Sequence, residues 1–378
     1  MRYLKVIYAT LGAIVLIGII VGLRRIGRDA HRLKMRQDVV RHATGESLMK
    51  RSYRLRKRDL DDTIEEKISF TARLNEEGSE RIERKGLLVR RPHARAVVLI
   101  CHGFMCNKDD VRFLRGTLFP RYTTLSFDFR AHGECIGGQT CTFGMLEKAD
   151  VIGAVEFIRS QPDLRNKPLI VYGFSMGAVA SILAQSEREN LFDAAIWDCP
   201  FDSTDNVIRR LLDNLNISIA GYEFGLPGKF IFQKYAYNGY VQDMLKKALK
   251  TIANLDSFAV NTMMMPVNTV EAAQVITIPA FFIVCKRDNK APVNAVMDVY
   301  SSTQGIKRLW VTNGRYHFDS FFYNPERYTY QVNQFIESVL SGEIEEEDSE
   351  IIMVDEPNGP RDPFLSMTKG GNQDVGEL

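Results

Sequence analysis

The sequence has little of the chemistry that marks several large classes of protein. It contains no C-x-x-C pair and no cysteine and histidine spacing typical of a metal site. Neither a G-x-G-x-x-G segment nor a phosphate-loop lysine motif occurs, which argues against nucleotide binding. The formal net charge is only +2, so no overall charge favours nucleic acid. We therefore predict no cofactor, no metal and no nucleic-acid partner.

The composition that is present is that of an ordinary globular protein. The 378 residues are 45% hydrophobic and 25% charged, enough for one large domain or two modest ones. Three of the six cysteines, Cys101, Cys199 and Cys285, each end an apolar run, where a buried free thiol is the expected role. Cys135 and Cys141 share a short loop and could pair.

A long uncharged run occupies residues 6–23. At about 1.5 Å per residue it spans roughly the hydrocarbon thickness of a bilayer, so residues 1–23 are predicted to form a transmembrane anchor. A cleaved signal peptide is the alternative, but its apolar core is usually shorter, and no small-x-small cleavage site precedes the basic segment that follows. The run is apolar on every face, which disfavours a buried helix of a soluble protein.

Basic residues are concentrated directly after this run. Arg2 and Lys5 precede it, whereas six basic side chains follow it closely: Arg24, Arg25, Arg28, Arg32, Lys34 and Arg36. The positive-inside rule then predicts a single-pass membrane protein with its body in the cytosol. Residues 24–62 are predicted to form a basic juxtamembrane stalk, held to anionic headgroups by about 1 kcal/mol per basic residue. A solvated helical spacer is the alternative.

Short apolar runs alternate with helical patterns over residues 63–341. "ISFTARL" and "RIERKGLLVRRP" predict an opening pair of antiparallel strands, and later runs such as "AVVLICHG", "TTLSFDF" and "PLIVYGFS" predict buried ones. "MLEKADVIGAVEFIRS" and "PERYTYQVNQFIESVL" predict helices between or after them. Because strands buried on both faces are continuously apolar, the fold class is α/β, with a mostly parallel central sheet flanked by helices.

Two segments depart from this alternation. Residues from about 202 to 278 separate two consecutive strand candidates, far more than a crossover needs. Their apolar content, including the run "MMM", predicts a helical cap over the sheet that lines a hydrophobic pocket; an excursion that packs on itself and touches no substrate is the alternative. Residues 342–378 are acidic, then rich in Gly, Pro and polar residues, and are predicted to be disordered.

The segment "GFSMG" at residues 173–177 carries the main chemical signal. G-x-S-x-G alone is a short pattern, so its context decides the interpretation. Ser175 follows the apolar run "LIVYG" and precedes a helix candidate, which is the strand-turn-helix arrangement of a nucleophile elbow. Gly173 and Gly177 remove side chains that would collide where strand and helix approach. Ser175 is therefore predicted to be a nucleophile.

A serine hydroxyl is a poor nucleophile at neutral pH and needs a general base with an orienting carboxylate. Among the six histidines, His317 both follows the serine and lies in a loop after the last strand candidate. Asp288 comes directly after the buried run "FFIVC", which completes the order serine, acid, histidine. Asp198, also at a strand end, is the alternative acid. Asp319 is too close to His317 in sequence to be preferred.

A tetrahedral oxyanion needs two hydrogen-bond donors. The elbow supplies the backbone N–H of Met176, and the early loop "HGFMCN" supplies that of Phe104 after a buried strand. His102, at the start of this loop, is expected to form hydrogen bonds within the loop and not to transfer protons.

Taken together, the ordered motifs resemble those of the α/β-hydrolase superfamily, in its esterase- and lipase-like branch. The likeness covers roughly residues 68–340 and rests on "HGF", then "DFRAHGECIGG", then "GFSMG". It implies an acid after the penultimate strand and a histidine after the last, which match Asp288 and His317. It also implies that four residues shape the loop beside the active site without a catalytic role: Asp128, Arg130, His132 and Gly133. The sequence departs from the family at Cys285 and Lys286, where a glycine is common.

The predicted function is that of a membrane-anchored serine hydrolase, which cleaves a carboxylic ester or thioester through an acyl-enzyme. The predicted substrate is a small or lipid-like acyl compound. Nothing in the sequence suggests the β-propeller of peptidases on this fold, but a serine peptidase or amidase is an alternative. A catalytically silent, membrane-tethered binding protein is another, because fold does not prove activity.

Overall fold

The computed structural model describes residues 64–75, 79–118, 121–135, 137–213, 216–219, 222–225, 229–243, 260–314, 317–344 and 351–353. The predicted anchor (1–23) and stalk (24–62) lie outside these residues, as does most of the predicted tail. Within the described ranges, no helix has both the length and the apolar character needed to cross a membrane.

Within the described residues, a nine-stranded sheet forms the centre of the molecule. Its strands are β1 (Ile64–Arg73), β2 (Arg81–Arg90), β3 (Val97–Cys101), β4 (Thr123–Phe127), β5 (Leu169–Phe174), β6 (Ala194–Asp198), β9 (Ala280–Cys285), β10 (Lys307–Thr312) and β11 (Ile351–Met353). Their order in the sheet is β1-β2-β4-β3-β5-β6-β9-β10-β11. Pairing is antiparallel between β1 and β2 and between β2 and β4, and parallel at the other pairs. The opening antiparallel pair and the mostly parallel sheet are therefore confirmed.

Helices cover both faces of this sheet. They are α1 (Arg112–Leu118), α2 (Glu147–Ser160), α3 (Met176–Glu187), α4 (Thr204–Asp213), α5 (Lys229–Lys234), α6 (Thr269–Ala273), α7 (Val293–Ser302), α8 (Ser320–Tyr323) and α9 (Pro325–Ser341). In α9, Asn324 caps the first turn by accepting from the Arg327 N–H, and Gly342 ends the helix in a left-handed conformation.

Alternate residues of the central strands enter two separate cores. Leu99, Val171 and Trp197 face the core shared with α2 and α3, whereas Ile100 and Tyr172 face the core shared with α1 and α9. All five side chains are fully buried. This two-sided burial explains why the strands are continuously apolar in sequence, since successive strand residues point to opposite faces.

The insert after β6 contains a β-hairpin as well as helices. Strands β7 (Asn216–Ile219) and β8 (Tyr222–Gly225) pair antiparallel, an element that the helical cap predicted from the sequence did not include. "NISI" and "YEFG" alternate apolar and polar residues, which favours strands over helix. Later in the insert, the N–H of Met263 donates to the Cys141 carbonyl (2.8 Å), so the insert is tied to the loop after β4.

Two further expectations differ from the structure. Residues 351–353, within the predicted disordered tail, form strand β11 against β10. Their sequence "IIM" is apolar and partly β-branched, and the open edge of β10 offers the backbone partners that a strand needs. All six cysteines are free, so Cys135 and Cys141 do not pair.

Candidate active site

Ser175 lies in the tight turn between β5 and α3. Its backbone has φ +50° and ψ −115°, a conformation that non-glycine residues rarely adopt. The Ser175 N–H donates to the carbonyl of Asp198 at the end of the neighbouring strand β6 (2.9 Å). Strain of this kind persists only where the surroundings impose it, and here the paired strand on one side and the helix on the other do so.

The two glycines of the motif permit this turn, as predicted. A Cβ on Gly173 would lie 2.6 Å from the Ala178 Cα, and one on Gly177 would lie 2.2 Å from the Cys101 carbonyl oxygen. Both distances are far below van der Waals contact. Helix α3 therefore starts so close to β3 and β5 that no side chain fits at either position.

The structure brings together the three side chains predicted to act with one another. Ser175 Oγ lies 2.8 Å from His317 Nε2, and His317 Nδ1 lies 2.6 Å from Asp288 Oδ2. The other Asp288 oxygen accepts the N–H groups of Lys290 (2.8 Å) and Ala291 (3.1 Å). With Nδ1–H donating to a carboxylate, Nε2 carries the lone pair that accepts the serine O–H. The arrangement can therefore draw a proton from Ser175.

Asp198, the alternative acid, lies in a different environment. Its Oδ2 accepts the hydroxyl of Tyr328 (2.6 Å), which in turn accepts from the Tyr172 hydroxyl. Within the described ranges, its carboxylate has no hydrogen bond to His317. Burial raises the pKa of Asp198 to about 7, against the lowering effect of Tyr328 and His317.

The two backbone N–H groups predicted to bind an oxyanion belong to segments that pack against each other. Met176 is the first residue of α3, where N–H groups have no partner within the helix. No hydrogen bond joins the N–H of Met176 or of Phe104 to any group in the described part of the chain. A Cβ on Gly103, next to Phe104, would lie 3.0 Å from the Phe174 ring, so the early loop packs against the elbow.

The two histidines near this loop have structural hydrogen bonds. His102 Nδ1 donates to the Gly103 carbonyl (2.8 Å) while Nε2 accepts the Phe129 N–H (3.0 Å), so it bonds locally, as expected. His132 Nδ1 donates to the Arg130 carbonyl (2.8 Å), and its Nε2 accepts the Met105 N–H (3.2 Å). Burial lowers the pKa of both rings, which keeps them neutral.

A buried carboxylate joins the loop after β3 to the loop after β4. Asp128 accepts from the backbone N–H (2.8 Å) and the Nζ (2.9 Å) of Lys108, and from the N–H of Glu134 (3.0 Å). Gly133, with φ +54°, passes so close to this carboxylate that a Cβ would lie 2.3 Å from it. Arg130 forms hydrogen bonds to the buried Asp150 through Nε and one terminal nitrogen. The bonds from Lys108 to Asp128 therefore hold the loop that carries Phe104.

Comparison with known proteins agrees with this architecture. The family model described as "Alpha/beta hydrolase family" matches residues 97–329, more than half of the chain. The chain belongs to the alpha/beta hydrolase family. A search against curated proteins finds no match.

Several solved structures share the fold at low sequence identity. The Pyrococcus furiosus esterase Pf2001 is 21% identical, with a TM-score of 0.52, over 75% of this chain and 96% of that one. The peroxisomal alpha-beta-hydrolase Lpx1 of Saccharomyces cerevisiae is 15% identical, with a TM-score of 0.50, over 75% and 91%. An acetyl xylan esterase from Paenibacillus sp. R4 is 13% identical, with a TM-score of 0.50, over 78% and 92%.

In this alpha/beta hydrolase, the end of β9 and the loop after it, which carries Asp288, have Cys285 and Lys286 where the family commonly has a glycine, and the neighbouring loop fits around them. Cys285 packs against Gly314 in the loop after β10, where a Cβ would lie 2.6 Å from the Cys285 Sγ. The same sulfur accepts the Asp319 N–H (3.2 Å). The two loops are therefore fitted to each other, and Asp288 meets His317 although no glycine occupies position 285 or 286.

Cys199 is the residue at this site of the alpha/beta hydrolase that sequence reasoning missed. The sequence predicts a buried free thiol there, and the side chain is fully buried. Its Sγ also lies 4.0 Å from His317 Nε2, and its backbone has φ +47°. The available signal was its position after β6, at the edge of the sheet where Ser175 also lies. Within the described residues, Cys199, Asp288 and His317 form the one group spaced to hold a metal ion.

Proposed function

We propose that this alpha/beta hydrolase is a serine hydrolase that cleaves carboxylic esters or thioesters. The observation that carries the proposal is a continuous pair of hydrogen bonds. One joins Ser175 Oγ to His317 Nε2 (2.8 Å), and the other joins His317 Nδ1 to Asp288 Oδ2 (2.6 Å). Both distances are those of ordinary hydrogen bonds, and the order of the groups is that of a nucleophile, a base and an orienting acid. The esterase structures that share the fold support the choice of ester over other bonds.

In the proposed reaction, Ser175 Oγ attacks the substrate carbonyl while His317 Nε2 accepts its proton. Asp288 stabilises the imidazolium and does not itself take the proton. The N–H groups of Phe104 and Met176 donate to the oxyanion, and His317 then protonates the leaving group. Water then attacks the acyl-enzyme carbonyl while His317 Nε2 accepts its proton, and His317 returns this proton to Ser175 Oγ as the acid is released.

A fluorophosphonate probe tests the nucleophile. Wild type should become labelled at one serine, whereas Ser175→Ala should not, and His317→Ala should label at least about 100-fold more slowly because its base is missing. Ser186→Ala is the matched control, since Ser186 lies on α3 outside the site and bonds only to the Leu183 carbonyl among the described groups. Equal labelling of wild type and Ser175→Ala would contradict the proposal and favour a binding protein.

A substrate series tests the bond that is cleaved. We expect a p-nitrophenyl butyrate and a butyryl thioester to have a kcat/KM at least tenfold above that of a butyryl anilide, roughly 1.4 kcal/mol of transition-state energy. A faster anilide would favour the amidase alternative.

The uncharged run at residues 6–23 supports a second part of the proposal, that the chain is held to a membrane. The basic stalk that follows it would lie on the cytosolic side, with the hydrolase domain. A lipid-like acyl substrate would then be close at hand, and the insert after β6 contributes exposed apolar side chains such as Phe230 and Tyr240.

Extraction from membranes tests the anchor. The full chain should stay with the membrane in alkaline carbonate and leave it in detergent, whereas a chain that begins at residue 24 should leave it in carbonate. Release of the full chain by carbonate alone would exclude the anchor.

A further inference from the structure

A thiol, an imidazole and a carboxylate lie close together just after the ends of three neighbouring strands of the sheet. Cys199 follows β6, Asp288 follows β9 and His317 follows β10. Their ligand atoms all lie within 4.8 Å of one another, and Cys199 Sγ is 4.0 Å from His317 Nε2. Thiolate sulfur and imidazole nitrogen are ligands that Zn²⁺ prefers in proteins.

The distance between sulfur and nitrogen suits a shared metal ion. Bonds of about 2.3 Å to sulfur and about 2.0 Å to nitrogen, at a tetrahedral angle, put the two ligand atoms roughly 3.6 Å apart. The observed 4.0 Å needs to shorten by only about 0.4 Å, which small side-chain rotations provide.

The surroundings of His317 already resemble those of a metal ligand. Its Nδ1 donates to Asp288 at 2.6 Å, and metal-binding histidines usually donate their second nitrogen to a carboxylate in this way. Ser175 Oγ faces the Nε2 lone pair at 2.8 Å, so the serine side chain would rotate away when a metal takes that lone pair. Water can complete the coordination, since His317 is partly exposed.

The backbone at Cys199 adopts a strained conformation and holds the thiol in place. Its φ of +47° favours glycine, yet the position carries a side chain. The Cys199 N–H donates to the Ile283 carbonyl (2.8 Å), which ties the residue to strand β9. The thiol therefore stays beside the imidazole instead of moving with a loose loop.

We propose that Cys199 and His317 bind a thiophilic divalent cation such as Zn²⁺, with Asp288 as outer-shell partner, and that this binding inhibits the hydrolase. On binding, the Cys199 thiol releases its proton to solvent and a sulfur–metal bond forms, with no change in oxidation state. The His317 Nε2 lone pair then bonds the metal, so it cannot accept the proton of Ser175. Only the inhibition rests on the proposed function; the metal site does not.

Cobalt absorption tests the site without any reference to activity. Wild-type full chain with Co²⁺ should show a thiolate-to-cobalt charge-transfer band in the near ultraviolet. Cys199→Ser and His317→Ala should each lose it. Cys135→Ser, which removes another buried thiol, one that lies beside the Glu83 carbonyl, should keep it. Absence of the band in wild type, or an equal band in Cys199→Ser, overturns the proposal.

Labelling kinetics test the inhibition. Zn²⁺ should slow fluorophosphonate labelling of wild type, and the Zn²⁺ concentration for half inhibition should rise at least about 100-fold in Cys199→Ser, each variant being compared with its own metal-free rate. Loss of an outer-shell partner alone costs 10- to 100-fold in affinity, so loss of a ligand should cost at least that. Mg²⁺, which prefers oxygen ligands, should have no effect.

The two proposals fail in different ways. If metal-free wild type is not labelled, the serine hydrolase proposal fails and the cobalt spectrum alone decides the metal site. If it is labelled and Zn²⁺ slows wild type and Cys199→Ser equally, the metal proposal is overturned while the nucleophile stands.

Discussion

Two aspartates at the ends of strands β6 and β9 have contrasting surroundings. Asp288 accepts three N–H donors, from His317, Lys290 and Ala291. Asp198 accepts the Tyr328 hydroxyl on Oδ2 (2.6 Å) and interacts with the Cys199 thiol. Because Asp288 contacts the His317 ring directly and Asp198 has no hydrogen bond to it in the described residues, Asp288 is the aspartate that we propose to orient the imidazole.

Substitution of each aspartate by asparagine separates their roles. Asp288→Asn should lower kcat by about 10⁴-fold, because the amide no longer holds the imidazole with its Nε2 lone pair toward Ser175. Asp198→Asn should lower it less than about tenfold, since the amide oxygen still accepts from Tyr328. Ester hydrolysis by the two variants, with their thermal melts as a control for folding, makes the comparison. A larger loss in Asp198→Asn would assign the acid to position 198.

The site residues that could be predicted from the sequence all follow a strand, whereas the contacts that were missed depend on tertiary packing. Ser175, Asp288 and His317 each follow an apolar strand, and in a parallel sheet such positions meet at one edge. The bond from Tyr328 to Asp198 and the approach of Cys199 to His317 depend on how helix α9 and the strand ends pack. No local pattern encodes those distances.

At the scale of the element, the site depends on how closely helix α3 approaches strand β3. Gly177→Ala would place a Cβ 2.2 Å from the Cys101 carbonyl oxygen and 2.5 Å from that of His102. Both are backbone atoms, so the helix itself must shift. We expect a loss of about 1 to 3 kcal/mol in unfolding free energy, with slower fluorophosphonate labelling.

Gly137→Ala is the control for this variant. A Cβ at Gly137 meets nothing within 4 Å, so its unfolding free energy should change by less than about 1 kcal/mol and its labelling rate should not change. Equal stability of Gly177→Ala and wild type would mean that the helix does not approach the strand so closely.

The start of the insert depends on Asp202. This carboxylate accepts both terminal nitrogens of Arg210 on α4 (2.7 and 3.0 Å) and the Ser203 N–H, while its own carbonyl accepts the Thr269 N–H of α6. Burial alone would raise the pKa of Asp202, but the bonds from Arg210 and Ser203 outweigh it and hold the pKa below its ordinary value.

A lowered pKa makes this contribution depend on pH. Because the folded state holds the charged form more strongly, stability from Asp202 is complete above the unfolded pKa near 3.8 and is lost as pH falls through the folded value. Asp202→Asn should cost about 1 to 3 kcal/mol at pH 7, and the gap from wild type should shrink below pH 4. Urea unfolding at pH 7, 5 and 3 measures it, and a gap independent of pH would exclude the ion pair as its source.

The strands were predictable because a sheet covered on both faces requires continuous apolar runs. The hairpin β7-β8 and the strand β11 were missed because their strands are only three or four residues long, and an alternation over so few residues is easily overlooked. Three residues, "IIM", bury little surface alone and become a strand only through the partner that β10 offers.

At the scale of the whole molecule, β11 covers an edge of the sheet that would otherwise be open. A chain that ends at residue 342 lacks this strand and exposes the edge of β10, which includes the buried Trp310. We expect its Tm to fall by about 2 to 4 °C and its tryptophan emission to shift to the red.

A chain that ends at residue 354 is the matched control. It keeps β11, so its Tm and emission should equal those of the full chain. Emission is a sharp readout because the chain has only two tryptophans, and Trp197 is fully buried in the centre of the sheet. If both truncated chains behave alike, β11 contributes nothing to stability.

The backbone bonds at the strand ends have a consequence for how the molecule loses its structure. Three N–H groups cross from strand to strand beside the site: Ser175 to Asp198, Cys199 to Ile283 and Lys286 to Thr312. Amides bonded in this way exchange with deuterium only when the strands separate, which in a central sheet requires opening of most of the domain. We expect these three amides to be among the slowest to exchange. If Ser175 is the nucleophile that we propose, a heated sample should keep its fluorophosphonate labelling until the domain as a whole unfolds.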